Sequence, residues 1–129
     1  MILGIGCDIV NIERIKPETK FLHDFGRRIL GADEISEIYA KNLSDEQKVA
    51  TLAKYYAAKE AFAKALGTGF RDGLFLRDIQ VLHNNLGKPT LKLSGQADVL
   101  LKKLHLQAKV HLSLSDDFPY AQAFVIIEQ

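Results

Sequence analysis

The longest regular pattern in this chain is an alanine-rich stretch over residues 45–66 that has helix-end signals on both sides. Ser44 precedes it as an N-cap residue, acidic residues fill its first turn, and Gln47 occupies the capping-box position. Apolar side chains recur at helical spacing, and Gly67 and Gly69 stop the pattern. The sequence therefore predicts one long helix over 45–66.

The remaining segments predict strands and smaller helices. Residues 2–10 are β-prone, and the glycines at positions 4 and 6 indicate a bend or a close approach of the backbone. Further helices are expected over 12–30 (interrupted at Pro17 and closed by Gly31), over 33–41, and over 95–105 after Ser94 as N-cap. Further strands are expected over 74–83, 90–93, 108–115 and 120–127.

Short turns over 84–89 and 116–119 join neighbouring strands, so the strands are expected to pair antiparallel. The predicted fold class is therefore α+β, with a small antiparallel sheet, one long helix and several short helices. A length of 129 residues predicts a single domain over 1–129. The final strand is apolar on both faces apart from Gln122, which is compatible with assembly of several copies.

Composition narrows the classes of partner. The formal net charge is +1, so the overall charge gives no reason to expect nucleic acid or a membrane surface. The lone cysteine, Cys7, cannot form an internal disulfide. We expect a cytoplasmic protein, because the sequence shows neither the basic start of a signal peptide nor an apolar run of membrane-spanning length.

Two carboxylates and an ammonium carry the chemistry. Glu60 and Lys64 lie four residues apart on one face of the long helix, where they either form a surface salt bridge or hold a metal and a phosphate. Asp8 interrupts an apolar strand, so its carboxylate must be exposed, hydrogen-bonded or bound to a cation, or must cap the next helix. Asp8 and Glu60 together would suit Mg²⁺. Lys59, on another face of the helix, is expected equally in solvent or against a phosphate.

Other reactive residues give weaker signals. The four histidines do not have the spacing of a zinc site, and no serine or cysteine lies in a pattern for covalent catalysis. A histidine on a strand, such as His111, is more often hydrogen-bonded and half-buried than a base. Basic residues concentrate near the N-terminus, either as a solvated surface or as a docking patch for an acidic protein: Arg14, Lys16, Arg27 and Arg28.

Several short motifs occur together and in order along the chain. They are Gly4-Ile5-Gly6-x-Asp8-Ile9-Val10 through Arg14-Ile15, Ala57-Ala58-Lys59-Glu60-Ala61-x-x-Lys64-Ala65-Leu66-Gly67-Thr68-Gly69, Gly87-Lys88-Pro89, and Tyr120-Ala121-x-Ala123. With this set the chain closely resembles the holo-[acyl-carrier-protein] synthases, small 4′-phosphopantetheinyl transferases of bacterial fatty-acid synthesis. Each motif is weak alone, but the ordered set is specific and covers essentially the whole chain.

The resemblance implies a Mg²⁺-dependent transferase. The family moves 4′-phosphopantetheine from coenzyme A to a serine of apo-acyl carrier protein and releases adenosine 3′,5′-bisphosphate. The resemblance also implies a homotrimer with active sites between neighbouring subunits, and a role in fatty acid biosynthesis.

The resemblance also assigns residues. Asp8 and Glu60 match the magnesium ligands, and Lys64 matches the lysine that holds the pyrophosphate, so these three are the expected catalytic residues. The coenzyme A pocket is expected to include Lys64, Gly67, Thr68, Gly69, Gly87, Lys88, Pro89 and His111. The carrier-protein face is expected to include Arg14, Phe25 and Arg28.

Two positions depart from the family pattern, and Asp24 dilutes the basic character expected of the docking helix. Tyr55 stands where many members have arginine, with Lys54 or Lys48 as possible substitutes, and Ser115-Asp116-Asp117 stands where many have a histidine.

Two other functions remain open at this point. One is a Mg²⁺-dependent hydrolase of nucleotide phosphates, and the other is a non-catalytic oligomer that binds an acidic partner through its arginines.

Overall fold

A computed structural model describes the backbone of residues 1–15 and 19–129, and the side chains of 1–15 and 22–129. Its strands are β1 (Ile2–Asn11), β2 (Ile79–His83), β3 (Pro89–Leu93), β4 (Lys109–Asp117) and β5 (Tyr120–Glu128). Its helices are α1 (Thr19–Ile29), α2 (Ala32–Ala40), α3 (Asp45–Leu66) and α4 (Gly95–Leu104), with 3₁₀ turns at Ile12–Arg14 and Leu76–Asp78. This mixture of helices and antiparallel strands confirms the predicted α+β class. None of the described helices is long and apolar enough to span a membrane.

The long helix α3 has the limits that its caps predict. The Ser44 hydroxyl accepts a hydrogen bond from the Gln47 backbone N–H at 3.2 Å, and the Gln47 side-chain oxygen accepts from the Ser44 N–H at 2.9 Å. At the other end Gly67 adopts the left-handed conformation, with φ of 82°, and its N–H donates to the Lys64 carbonyl. Local sequence thus determines both ends of this helix.

Strands β1, β5 and β4 form a three-stranded antiparallel sheet in that order, and β2 pairs with β3 in a separate hairpin. In the register of the larger sheet, Gly6 lies opposite Val125 and Asp8 lies opposite Ala123. This face packs against α3, and the β5 residues on it are buried. The opposite face exposes apolar side chains, including Ile5, Ile9 and Phe124.

Two glycines allow α3 to contact β1 closely. A Cβ atom at Gly6 would lie 1.9 Å from the carbonyl oxygen of Ala61, and one at Gly4 would lie 2.0 Å from the carbonyl oxygen of Ala65. The prediction of a close backbone approach is therefore confirmed. Because Ala61 and Ala65 lie one helical turn apart, the glycines of β1 match a strip of small residues on α3. The contact places Asp8 beside the C-terminal half of the helix.

The expected strand over 74–83 is wrong in its first half. The chain instead makes a 3₁₀ turn at Leu76–Asp78, and strand pairing begins at Ile79, which lies opposite Leu93. The partner strand β3 has only five residues, so it cannot pair with residues before Ile79. The apolar run that suggested a strand supplies the wall of a cavity instead.

Gly31 was expected to close the first helical region, but it is the N-cap of α2, with φ of −82°. Its Cβ would lie 2.4 Å from the side chain of Gln80, so crowding and not positive φ requires glycine here. Ser94 occupies the N-cap position of α4, but its hydroxyl bonds to the Asp78 carboxylate and not to the helix. The interruption expected at Pro17 lies outside the described residues.

Candidate active site

Asp8 and Lys64 meet where β1 contacts α3. The Lys64 ammonium donates to Asp8 Oδ1 at 3.0 Å and to the Cys7 carbonyl oxygen at 2.9 Å. The Asp8 side chain is 16% exposed and that of Lys64 is 53% exposed. The hydrogen bond from Lys64 to Asp8 is the main reason that the pKa of Lys64 is raised. Lys64 is therefore a solvent-accessible cation held at the edge of the sheet.

Glu60 lies one helical turn before Lys64 and interacts with Tyr56. The pKa of Tyr56 is raised, first by burial and then by the charge of Glu60, so the Tyr56 hydroxyl lies close to this carboxylate. The charge of Asp8 also raises the pKa of Tyr56, which indicates that both carboxylates lie near the same hydroxyl. Within the described part of the chain, Glu60 and Lys64 form no ion pair, so the surface salt bridge expected as the alternative is absent.

Tyr56 is the site residue that sequence reasoning missed. Its spacing of four residues from Glu60 is the signal that could have identified it. Its ring also packs against Phe25 of α1, with centroids 5.9 Å apart, and the Arg28 guanidinium lies 5.7 Å from the Phe25 ring centroid. Two of the expected docking residues, Phe25 and Arg28, are thus next to the carboxylate cluster.

A cavity of about 370 Å³ opens beside Glu60. Its walls combine apolar side chains with two arginines; the lining residues are Arg28, Glu60, Phe70, Leu74, Phe75, Leu76 and Arg77. A concave, mainly apolar site with a few polar groups is typical of small-molecule binding. The carboxylate of Glu60 is the acidic group in this lining.

The cluster offers only oxygen ligands to a cation. Among the described residues, no group of three or more His, Cys, Asp and Glu could hold a metal ion. A pair of carboxylates such as Asp8 and Glu60 fits Mg²⁺, which takes one or two protein carboxylates and fills its octahedron with water and substrate phosphate oxygens. The donor chemistry therefore fits magnesium better than zinc, whose protein sites are built mainly from nitrogen and sulfur ligands.

Lys59 is neither in solvent nor placed to contact a phosphate, so both sequence-based expectations for it are wrong. Its side chain is fully buried and pairs with the fully buried Glu34 at 2.8 Å. The ammonium also donates to the carbonyl of Leu76 at 3.1 Å and to that of Ile79. Burial raises the pKa of Glu34 and lowers that of Lys59, while their mutual attraction opposes both shifts. The pair ties α2, α3 and the 3₁₀ turn together.

Apart from Lys64, the residues expected in the coenzyme A pocket lie at three other places. Gly67, Thr68 and Gly69 follow α3; both glycines have positive φ, and a Cβ added at either would meet no described atom within 4 Å. Gly87 and Lys88 lie in the β2–β3 turn, which Asn84 stabilises through its side-chain oxygen, and Pro89 begins β3. His111 lies on β4 and pairs with Glu128 at 2.7 Å. No hydrogen bond or ion pair in the described ranges links these residues to Glu60.

Three further residues that the sequence singled out lie away from the Asp8–Lys64 pair or have other partners. Arg14 is exposed in the 3₁₀ turn that follows β1. Tyr55 is buried in the core, 6.3 Å from the ring of His83, and burial raises its pKa. It therefore supplies no phosphate contact. Lys54, one of the two suggested substitutes, pairs with Asp116 at 3.2 Å.

Comparison of the sequence with known proteins shows the family to which the chain belongs. Residues 4–123 match the model of the 4′-phosphopantetheinyl transferase superfamily. The holo-[acyl-carrier-protein] synthases of Orientia tsutsugamushi and Erythrobacter litoralis are 47% and 45% identical to the chain. These matches cover 98% and 99% of the chain, and 97% of each relative.

Solved structures agree over the same length. The crystal structure of the Neisseria meningitidis holo-[acyl-carrier-protein] synthase is 39% identical, with a TM-score of 0.84 and full coverage of both chains. The Bacillus anthracis synthase, solved in complex with CoA (3′,5′-ADP), is 36% identical, with a TM-score of 0.79. That match covers 100% of this chain and 98% of the other.

The chain belongs to the 4′-phosphopantetheinyl transferase superfamily. Within it the chain is an enzyme of the holo-[acyl-carrier-protein] synthase type.

Proposed function

We propose that this enzyme transfers 4′-phosphopantetheine from coenzyme A to a serine of apo-acyl carrier protein. The products are holo-acyl carrier protein and adenosine 3′,5′-bisphosphate, and the reaction supports fatty acid biosynthesis. The observation that carries the proposal is the meeting of Asp8, Lys64 and the Glu60–Tyr56 pair at the contact of β1 with α3. Relatives solved with coenzyme A, from Bacillus anthracis and Helicobacter pylori, support the choice of substrate.

In this proposal Asp8 and Glu60 hold Mg²⁺, which supplies charge neutralisation for the pyrophosphate of coenzyme A. Lys64 neutralises the charge that develops on the leaving adenosine bisphosphate. The carrier serine oxygen forms a bond to the phosphopantetheine phosphorus as the bond from that phosphorus to the leaving adenosine 3′,5′-bisphosphate breaks, and the serine proton is released to solvent. Tyr56, whose hydroxyl lies close to the charges of both carboxylates, orients Glu60 in this proposal. Much of the remaining rate enhancement comes from positioning the two substrates.

The coenzyme A pocket is proposed to include Gly67, Thr68, Gly69, Gly87, Lys88, Pro89 and His111. A Cβ added at Gly67, Gly69 or Gly87 would meet no described atom within 4 Å, so a ligand has room to approach the backbone in both turns, which supports this assignment. Arg14, Phe25 and Arg28 are proposed to dock the carrier protein. The position of Phe25 and Arg28 beside Tyr56 supports that part of the proposal.

Assembly and location complete the proposal. We propose a homotrimer of single-domain subunits, supported by the apolar side chains exposed on the outer face of the three-stranded sheet. A cytoplasmic location is supported by Cys7, an exposed free thiol of the kind that persists in reducing compartments.

The test is incubation with Mg²⁺, coenzyme A and apo-carrier protein, with mass spectrometry of the carrier. The expected result is the mass gain of one phosphopantetheine group. Asp8→Asn and Glu60→Gln should each lower the transfer rate at least about a hundredfold, the scale of losing one group that stabilises transition-state charge. Lys64→Ala should slow the chemical step strongly.

The matched control is Glu46→Gln, which makes the same substitution at an exposed position in the first turn of α3 and should leave the rate unchanged. Turnover of coenzyme A without any acceptor would identify a hydrolase instead. Full activity of Asp8→Asn and Glu60→Gln in Mg²⁺ would refute the metal assignment.

A further inference from the structure

Three arginines surround a depression of about 440 Å³ next to the candidate active site. Its lining consists of Arg27 and Arg28 from α1, Arg77 from the 3₁₀ turn, and Asp24. All four residues are exposed. Asp24 lies 3.7 Å from His23, and none of the three arginines forms an ion pair with a carboxylate within the described ranges. With three guanidinium groups against one carboxylate, the lining carries a net positive charge that favours an anionic partner.

The depression adjoins the catalytic cluster. Arg28 and Arg77 also line the cavity that contains Glu60. A partner that lies across these arginines would therefore present its adjacent groups to the carboxylate. The sequence alone does not indicate this arrangement, because Arg77 is almost fifty residues from Arg28 along the chain.

The buried pair of Lys59 and Glu34 fixes the position of Arg77. Lys59 donates to the carbonyls of Leu76 and Ile79, which lie on either side of Arg77 in sequence, and it precedes Glu60 directly on α3. Because the ammonium is fully buried and paired, it anchors the backbone of the turn to the helix that carries Glu60. A preorganised backbone lowers the entropic cost of binding.

We propose that Arg77 is a specificity-determining contact for the acidic surface of the carrier protein and that, with Arg27 and Arg28, it forms a three-arginine face beside Glu60. This inference rests on the proposed transfer to carrier protein. Guanidinium groups bind carboxylates in bidentate geometry, and three exposed groups from two elements suit several carboxylates on an extended surface. A single phosphate is better held by donors that converge in a pocket.

The test compares Arg77→Glu with Arg71→Glu in steady-state assays with Mg²⁺, coenzyme A and apo-carrier protein. Arg71 makes the matched control, since it is exposed on the same connecting segment but lines neither cavity. Arg77→Glu should raise the KM for carrier protein about fivefold or more, because an exposed charge interaction of about 1 kcal/mol corresponds to that factor. The kcat and the KM for coenzyme A should stay unchanged, and added salt should shrink the difference from wild type.

Arg77→Gln serves as a milder second variant, and matching thermal unfolding midpoints would show that both variants are folded. A wild-type KM for carrier protein in Arg77→Glu overturns the inference. A rise in the KM for coenzyme A alone also overturns it, because the arginines would then bind a nucleotide phosphate. Failure of the wild-type enzyme to modify any carrier protein would instead refute the proposed function.

Discussion

Lys59 and Glu60 are neighbours in sequence, yet their side chains serve different purposes. The Lys59 side chain is buried against Glu34, whereas Glu60 lies close to the Tyr56 hydroxyl and lines a cavity. Adjacent residues on a helix point about 100° apart, so one of the two can enter the core while the other reaches a site. The Lys-Glu dipeptide thus joins a structural anchor to a candidate metal ligand.

Lys59→Met should destabilise the protein by about 3–5 kcal/mol, because it leaves the charge of Glu34 buried without a partner. Urea denaturation at neutral pH measures this loss. Lys54→Met is the control, since Lys54 and Asp116 form a partly exposed pair worth about 1 kcal/mol or less. The double variant Lys59→Met/Glu34→Gln should recover part of the loss, because no charge remains buried. Equal effects of Lys59→Met and Lys54→Met would contradict the anchoring role.

At the scale of elements, the contact between β1 and α3 brings the site residues together. The backbone of β1 approaches α3 at two glycines, and the next residue on that face of the strand is Asp8. On the helix, the two glycines contact Ala61 and Ala65. Glu60 directly precedes the first of these alanines in sequence, and Lys64 directly precedes the second. The distance between strand and helix therefore controls the distance between Asp8 and Lys64.

Gly6→Ala should destabilise the protein by about 1–3 kcal/mol and lower the transfer activity, because the new Cβ would force β1 away from Ala61. Chemical denaturation and the carrier mass assay measure the two effects. Gly26→Ala is the matched control. A Cβ there would meet Leu30 at an ordinary 3.5 Å, so alanine within α1 should stabilise the helix by up to about 1 kcal/mol. Equal stability and activity of Gly6→Ala and wild type would argue against a tight β1–α3 contact.

At the scale of the whole molecule, the described residues cover the three-stranded sheet on one face and leave the other exposed. α3 buries the inner face, while Ile5 and Ile9 on the outer face are each 61% exposed and Phe124 is 42% exposed. Exposed apolar side chains grouped on one face of a sheet are characteristic of a protein interface. The proposed homotrimer would bury them.

Sedimentation equilibrium should therefore give three times the monomer mass for the wild-type chain. Ile9→Glu should shift the distribution towards monomers, because a buried charge in an apolar interface is costly. Leu86→Glu provides the control, since Leu86 is 93% exposed in the β2–β3 turn, away from the sheet, and should leave the mass unchanged. A monomeric wild-type protein at micromolar concentration would refute the trimer.

Several features of the fold were predictable because they depend on local interactions. The caps of α3, at Ser44 and Gly67, act within one turn, so sequence determines them. The prediction of a strand over 74–83 was wrong in its first half. Strand pairing there depends on the length of β3, which lies further along the chain. The prediction that Gly31 closes the first helical region was wrong. Glycine is required there because Gln80, a residue distant in sequence, crowds the position.

The sequence by itself determined the helix α3, the α+β class, the family and the identity of the charged residues Asp8, Glu60 and Lys64. Only the tertiary structure decided which groups these residues meet. Lys64 bonds to Asp8, which is 56 residues away in sequence, and not to Glu60. The burial of Lys59 and the gathering of Arg77 with Arg28 have the same origin. Periodicity and caps encode interactions within a few residues, whereas the partners of a charge depend on how separate elements pack.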